Sequence, residues 1–147
     1  MRVADLLKSK GTTVITIHDE ISLAAAVDIL SSKNIGALLV LNVESHVVGM
    51  LSERQIIQGL ARHGAELLHL PVREVMSEHV FICRPEDQIK EIMGIMTRQR
   101  VRHIAVVDEG QLKGIVSIGD VIKYRLDEIE TEANILREII IARQYEV

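Results

Sequence analysis

The sequence predicts an α+β fold: two pseudo-symmetric β-α-β-β-α units packed sheet to sheet, followed by a helical extension at the C-terminus. Three observations carry that prediction. The chain repeats itself, with residues 14–17 and 35–41 aligning with 80–83 and 101–107 at an offset of 66, and residues 48–56 aligning with 113–121 at an offset of 65. Each copy holds a wholly apolar run, 38–41 or 104–107, as a strand buried on both faces requires. A 3.5-residue apolar period then continues from Ile122 to Ile140, beyond the repeat.

Each copy reads alike from its start. The lead-ins 3–7 and 72–76 match loosely. A β-rich run follows at 14–17 or 80–83. Asp19 and Glu20, and Pro85, Glu86 and Asp87, are expected in the first turn of a helix, where carboxylates favour the helix dipole. Helical spacing then relates Leu23, Ala26, Val27 and Leu30 in one copy and Ile89, Ile92, Met93 and Met96 in the other. The apolar strand comes next, then a turn at 42–46 or 108–110, a strand at 47–51 or 112–116, and a helix beginning near Ser52 or Ser117. A lone unit of about 60 residues buries little apolar surface, so two are expected to share an interface. The expected boundaries are 1–63 for the first unit with its lead-in, 64–71 for a linker, 72–125 for the second unit and 126–147 for the extension.

Composition narrows the function. The chain of 147 residues carries a formal charge of −4 and only 2% aromatics, which argues against both phosphate-backbone binding and base stacking. No nucleic-acid partner is expected. The single cysteine, Cys83, excludes an intrachain disulfide and a thiolate zinc cluster, and it points to a reducing cytoplasm. Its apolar strand setting predicts a packed small hydrophobe. The first ten residues, with Asp5 and only short apolar pairs, do not read as a signal peptide, and the apolar run 35–41 is too short to span a membrane.

Catalytic motifs are missing. Gly114 and Gly119 have P-loop spacing, but Asp120 and Val121 stand where Lys and Ser or Thr are needed. The six histidines form no zinc-binding pair of the His-Glu-x-x-His kind, and His63 and His69 read as linker residues. No nucleophile elbow is present. No recognised catalytic or metal-binding motif is therefore present, and an enzyme with an unrecognised site stays an open alternative at this point.

The residues with binding chemistry lie at a strand-to-helix junction. Gly114 is expected to end a turn and let backbone approach a ligand. The Ser117 hydroxyl and neighbouring amides make a helix N-terminus suited to phosphate. Asp120, three residues on, can accept hydrogen bonds from a ribose diol. The plainer reading is that Ser117 caps the helix and Asp120 is a first-turn charge. Arg102, between a helix and a buried strand, is placed to clamp phosphate; the alternative is a solvated pair with His103.

These repeats resemble the tandem cystathionine-β-synthase (CBS) domain pair, or Bateman module. The matching residues are Gly49, Ser52, Glu53 and Arg54 in one copy, and Gly114, Ser117, Gly119 and Asp120 in the other. The stretch from Val101 to Asp108 matches as well. The likeness covers residues 1 to about 125 and is greatest to stand-alone bacterial proteins made of one CBS pair. It implies a non-catalytic regulatory module that binds an adenosyl ligand (AMP, ADP, ATP, NAD or S-adenosylmethionine) between its units and signals to a partner protein. It further implies a second-copy pocket with Asp120 on ribose, and Ser117, Arg102 and Arg54 on phosphate. Val14, Ile15 and Ile115 would lie against adenine.

The first copy departs from the pattern. Gln55 replaces the ribose-binding carboxylate, and Gly36 and Ala37 stand where the second copy has Arg102 and His103. One good site per chain, the Asp120 site, is therefore expected. An empty-pocket scaffold is the competing reading.

The tail gives an a/d seam: Leu126, Ala133 and Ile140 at a, with Ile122, Ile129 and Leu136 at d. It is expected either to pack across a homodimer interface or to fold back on its own unit.

Overall fold

The computed structural model describes residues 1–11 and 14–145. Helix α1 (Val3–Lys10) leads into β1 (Thr16–His18), α2 (Leu23–Lys33), β2 (Ala37–Leu41), β3 (Val47–Ser52) and α3 (Glu53–His63). Two 3₁₀ segments, Gly64–His69 and Val72–Glu74, lead to β4 (Ile82–Cys83), α4 (Ile89–Gln99), β5 (His103–Asp108), β6 (Gln111–Ser117) and α5 (Ile118–Gln144). The two units thus form two three-stranded sheets, ordered β1-β2-β3 and β4-β5-β6, each with one parallel and one antiparallel pairing. The α+β fold with a C-terminal helical extension is as expected.

The repeat extends to its irregularities. Val48 bulges between the Val40–Gly49 and Leu41–Val47 pairs, and Lys113 bulges between Val106–Gly114 and Val107–Leu112. The offset drops from 66 to 65 inside the hairpins. The second hairpin turns on two residues, Glu109 and Gly110, both with positive φ (50° and 75°). The first needs three, residues 43–45, closed by the Asn42 N–H to the His46 carbonyl, with Ser45 at φ 64°.

Each unit has its own core, and the lead-ins are exchanged. Val3, Leu6 and Leu7 of α1 pack with Cys83, Ile89, Ile92, Met96, Ile104, Val106, Val116 and Val121 of the second unit. Leu67 and Val72 pack instead with Leu23, Ala26, Leu30, Leu38, Val40 and Leu51 of the first. Main-chain bridges Arg2–Gln88, Ser22–Pro71 and Met50–Ser77 follow the same crossing. Leu39 and Ala105, a repeat pair on the strand faces turned away from these cores, are completely buried.

Three local expectations are corrected. Asp19 and Glu20 form a turn ahead of α2, which starts later because the Ser22 hydroxyl accepts from the Ala25 N–H (3.2 Å) and caps it. Pro85, Glu86 and Asp87 likewise precede α4; Asp87 closes its own turn by accepting from the Arg84 N–H (2.8 Å). Gly114 lies inside β6, opposite Val106, rather than at a turn. A Cβ there would sit 2.7 Å from Leu7 Cδ2, so its close approach is to α1 and not to a ligand.

Cys83 is buried among apolar residues. Burial, and secondarily the Asp87 carboxylate, pushes its thiol up to about 12, which keeps it unreactive. No described helix is long and apolar enough to cross a membrane. Among the described residues no group of His, Cys, Asp or Glu is placed to hold a metal ion.

Candidate functional site

A cavity of about 660 Å³ opens between the two units, within the roughly 300–1,000 Å³ of small-molecule sites. The first unit contributes Met50 from β3, and Ser52, Arg54 and Gln55 from the strand-to-helix junction into α3. The second contributes Val80 and Phe81 ahead of β4, and Arg100, Arg102 and His103 between α4 and β5. Val80 and Phe81 were expected to be strand, but pairing begins only at Ile82, which leaves their side chains free to line the cavity. His79 closes the same wall and meets Phe81 edge to face at 4.6 Å.

At both helix N-termini the third residue's side chain accepts from the N-cap amide in a capping box, and the two differ in what else holds that side chain. At α3 the Ser52 N–H donates to Gln55 Oε1 (2.9 Å), and the Ser52 hydroxyl donates to the same oxygen. At α5 the Ser117 N–H donates to Asp120 Oδ2 (3.0 Å), and the Asp120 N–H donates to Ser117 Oγ (3.1 Å), a reciprocal capping box. Asp120 also pairs with Lys10 from the end of α1, whose ammonium donates in addition to the Ile115 carbonyl (2.8 Å). Burial pulls the Asp120 carboxyl up. Hydrogen bonds from Lys10 and Ser117, with the Lys10 charge, outweigh it and hold Asp120 below the usual carboxylate range.

The expected site residues therefore divide. Arg54 and Arg102 come together, but around Ser52 and Gln55 rather than around Asp120. Ser117, Asp120 and Ile115 cluster on Lys10 instead. The Arg102 carbonyl still touches the second junction by accepting the Ile118 N–H (2.8 Å). Val14 and Ile15 precede β1 and are half-buried. The expectation that the Gln55 side lacks a guanidinium is overturned. The two units face each other, so the arginine before β5 serves the cavity at the other unit's helix.

His103 joins the two regions. It pairs with Ser117 across the β5–β6 ladder and lines the cavity. Burial, then the charge of Lys10, lowers its pKa; Asp120 and Glu53 pull it back and Arg102 adds to the lowering.

Sequence reasoning missed Met50, Val80 and Phe81. Yet they are the repeat equivalents of Ile115, Val14 and Ile15, at offsets of 65 and 66, so the same three positions were read in the other copy. It also missed Lys10. The available signal was spacing: six residues separate Leu7 from Val14, whereas three separate Met76 from Val80. The longer first lead-in lets α1 run on and carry Lys10 to the second junction.

Comparison with known proteins agrees with this architecture. The CBS-domain protein ATU1752 from Agrobacterium tumefaciens has a crystal structure that superposes with a TM-score of 0.82 at 37% identity, covering 84% of this chain and 92% of that one. An uncharacterized 33.4 kDa protein of Thermofilum pendens is 33% identical over 108 residues, 74% of this chain but only 35% of that protein. The bovine 5'-AMP-activated protein kinase subunit gamma-3 is 30% identical over 105 residues, 67% of this chain and 21% of that subunit. The CBS domain pair of protein MJ0100, solved in complex with 5'-methylthioadenosine and S-adenosyl-L-methionine, shares the fold. Its TM-score is 0.77 at 23% identity, over 87% of this chain and 98% of that one. The CBS domain profile matches twice, at residues 3–62 and 72–127, and the chain belongs to the CBS-domain family as a tandem pair.

Proposed function

We propose that the chain is a non-catalytic, cytoplasmic regulatory module that binds an adenosyl ligand in the inter-unit cavity and passes its occupancy to a partner protein. The cavity itself carries this reading. It joins an apolar wall (Met50, Val80, Phe81) to a helix N-terminus and to arginines from the opposite unit, so one ligand touches both halves at once. The adenosyl ligands of the MJ0100 pair and the name of the kinase gamma subunit support the ligand class. Ser117 and Asp120, with Val14, Ile15 and Ile115, form the repeat-related second site, held by Lys10. Thermal-shift measurements with AMP, ATP, NAD and S-adenosylmethionine test the reading. A ligand at 100 times its Kd is expected to stabilise the fold by about 2.7 kcal/mol. Absence of a shift with all four would discard it.

A homodimer belongs to the same proposal, favoured by one observation. Helix α5 does not fold back over its seam: Ile122, Leu126, Ile129, Leu136 and Ile140 remain 47–59% exposed. Burying each such side chain is worth roughly 1.5–3 kcal/mol, and a symmetric pair is the commonest way to do so. Leu136→Glu is expected to weaken the dimer at least about tenfold by sedimentation equilibrium. A monomeric parent protein at micromolar concentration would remove the dimer.

A further inference from the structure

Helix α5 runs for 27 residues, and its first turns hold it to the second unit. Val121 is buried in that core, Tyr124 packs against it, and the Glu128 side chain is mostly covered. Past Glu128 the cover ends: from Ile129 to Tyr145 every residue but Ala133 is exposed. The uncovered stretch of helix is about 24 Å long, and a free helix of that length is marginal in water.

The apolar seam itself does not choose a direction for its cover, because isoleucine and leucine occur at both a and d. The charges beside it do. Counting from Leu126 at a, Arg125 and Glu132 fall at g, and Glu130 and Arg137 at e, with Lys123 one heptad earlier. In a parallel, in-register pair each g residue meets the next e residue of the other helix. Arg125 then meets Glu130 and Glu132 meets Arg137, and the twofold axis repeats both. No like charges meet.

The antiparallel register that covers the whole seam sets Ile122 opposite Ile140, Leu126 opposite Leu136 and Ile129 opposite Ala133. It brings Lys123 against Arg137, and it sets Glu130 and Glu132 each against its own copy. Sliding by a heptad relieves these contacts but leaves two seam residues at one end of each helix with nothing apolar opposite.

These charges have no use within their own helix. None of Glu130, Glu132 and Arg137 has an opposite charge three or four residues away. None is in an ion pair among the described residues. Arg125 does pair with Glu128 (2.8 Å), and Arg137 donates to Asn134 (3.5 Å), but both arginines are exposed and free to turn outward.

We propose that α5 pairs with α5 of a second copy as a parallel, in-register coiled coil, whose direction is set by Arg125–Glu130 and Glu132–Arg137 pairs between the copies. This rests on the homodimer reading above.

Disulfide trapping in the full chain tests it. Cys83 is buried, so an introduced cysteine is the accessible thiol. Ile122→Cys and Ile140→Cys are made separately, and mild oxidation is followed on non-reducing gels. In the parallel pair each position lies opposite itself, so each variant is expected to link to its own copy. In the antiparallel pair the two copies of either position lie about 27 Å apart, beyond disulfide reach. Linking only when the two variants are mixed would overturn the parallel pair and leave the homodimer standing. No linking in any combination, with a parent protein that sediments as a dimer, would remove α5 from the interface and overturn this proposal alone. A monomeric parent would overturn both.

Sedimentation equilibrium of charge variants is a second measurement. Arg137→Glu sets two carboxylates side by side in the parallel pair. It is expected to weaken the dimer about tenfold at low salt, and less as salt is raised. Adding Glu132→Arg is expected to restore the association. A dimer tightened or unchanged by Arg137→Glu alone would overturn the proposal, since an antiparallel pair turns that position toward Lys123.

Discussion

The two strand-to-helix junctions began as copies and now differ in charge. At the first, Ser52 and Gln55 face a cavity ringed by arginines from the other unit. At the second, Ser117 and Asp120 are met by the Lys10 ammonium, which also takes the Ile115 carbonyl. The equivalent carbonyl, on Met50, is taken by a backbone group, the Ser77 N–H at 2.9 Å. A main-chain contact in one copy is thus a side-chain contact in the other. Substituting a backbone donor reshapes the chain; substituting Lys10 removes one ion pair. The second site is in that sense adjustable and the first is built in.

The largest expected effect tests the built-in side. A Cβ on Gly49 would lie 2.4 Å from Met76 Sδ and 2.8 Å from the Ser77 carbonyl oxygen. The sulfur can move, but the carbonyl belongs to the Met50–Ser77 bridge and cannot move without breaking it. On Gly114 the nearest atoms are all in the Leu7 side chain, starting at 2.7 Å, and its terminal methyls can rotate away. Overpacking costs about 1–3 kcal/mol. Gly49→Ala is expected at the upper end of that range and Gly114→Ala at the lower, by urea unfolding of each variant. Equal losses would mean that the two lead-ins dock with the same rigidity.

Next in size is the release of the second site. Lys10→Met keeps most of the apolar stem and removes the ammonium. The ion pair is about one-third exposed on each side, with side-chain exposures of 32% and 27%, so the stability lost is expected to be only about 0.2–1 kcal/mol. The functional change is larger. Asp120 regains acceptor capacity, and a second adenosyl-binding event is expected in calorimetric titration of the variant. A stoichiometry unchanged from the parent would show that Lys10 is not what holds that site.

Much of this was legible in the residues, and the failures have identifiable causes. Apolar runs, helical periods and the one-residue drift in offset located both sheets, because those signals are local and each copy checks the other. The seam from Ile122 to Ile140 likewise located α5. The partition of site residues was not legible. The family resemblance grouped Arg102 with Ser117 and Asp120 of its own copy, whereas in the structure it lines the cavity beside Gln55 of the other unit. The lead-in exchange hid for the same reason: which core receives Leu7 depends on how the units cross, not on any local pattern. Asp19 and Glu20 misplaced the start of α2, since the Ser22 hydroxyl caps the helix at Ala25 N–H and the two acidic residues form the turn before it.

The smallest effect concerns His103, whose charge state responds to groups at both junctions. Burial and the Lys10 charge hold its pKa below the ordinary 6.5, while Asp120 and Glu53 oppose them and Arg102 reinforces them. The folded protein thus prefers the neutral imidazole. The corresponding stability is complete above the ordinary histidine value and is lost as pH falls through the lowered folded value, because there the unfolded chain binds the extra proton. Asp120 acts in a separate window: its depressed pKa gives stability above the usual carboxylate range, lost as pH drops through its own folded value. An NMR titration of His103 separates the contributions. Lys10→Met is expected to raise the His103 midpoint by removing a lowering charge, and Asp120→Asn to lower it by removing a raising one. A polyanion in the cavity is also expected to raise it, since the protonated ring then faces negative charge. Binding would then take up protons and strengthen as pH falls from 7 toward 6. A His103 midpoint indifferent to both substitutions would show that the two junctions do not communicate through it.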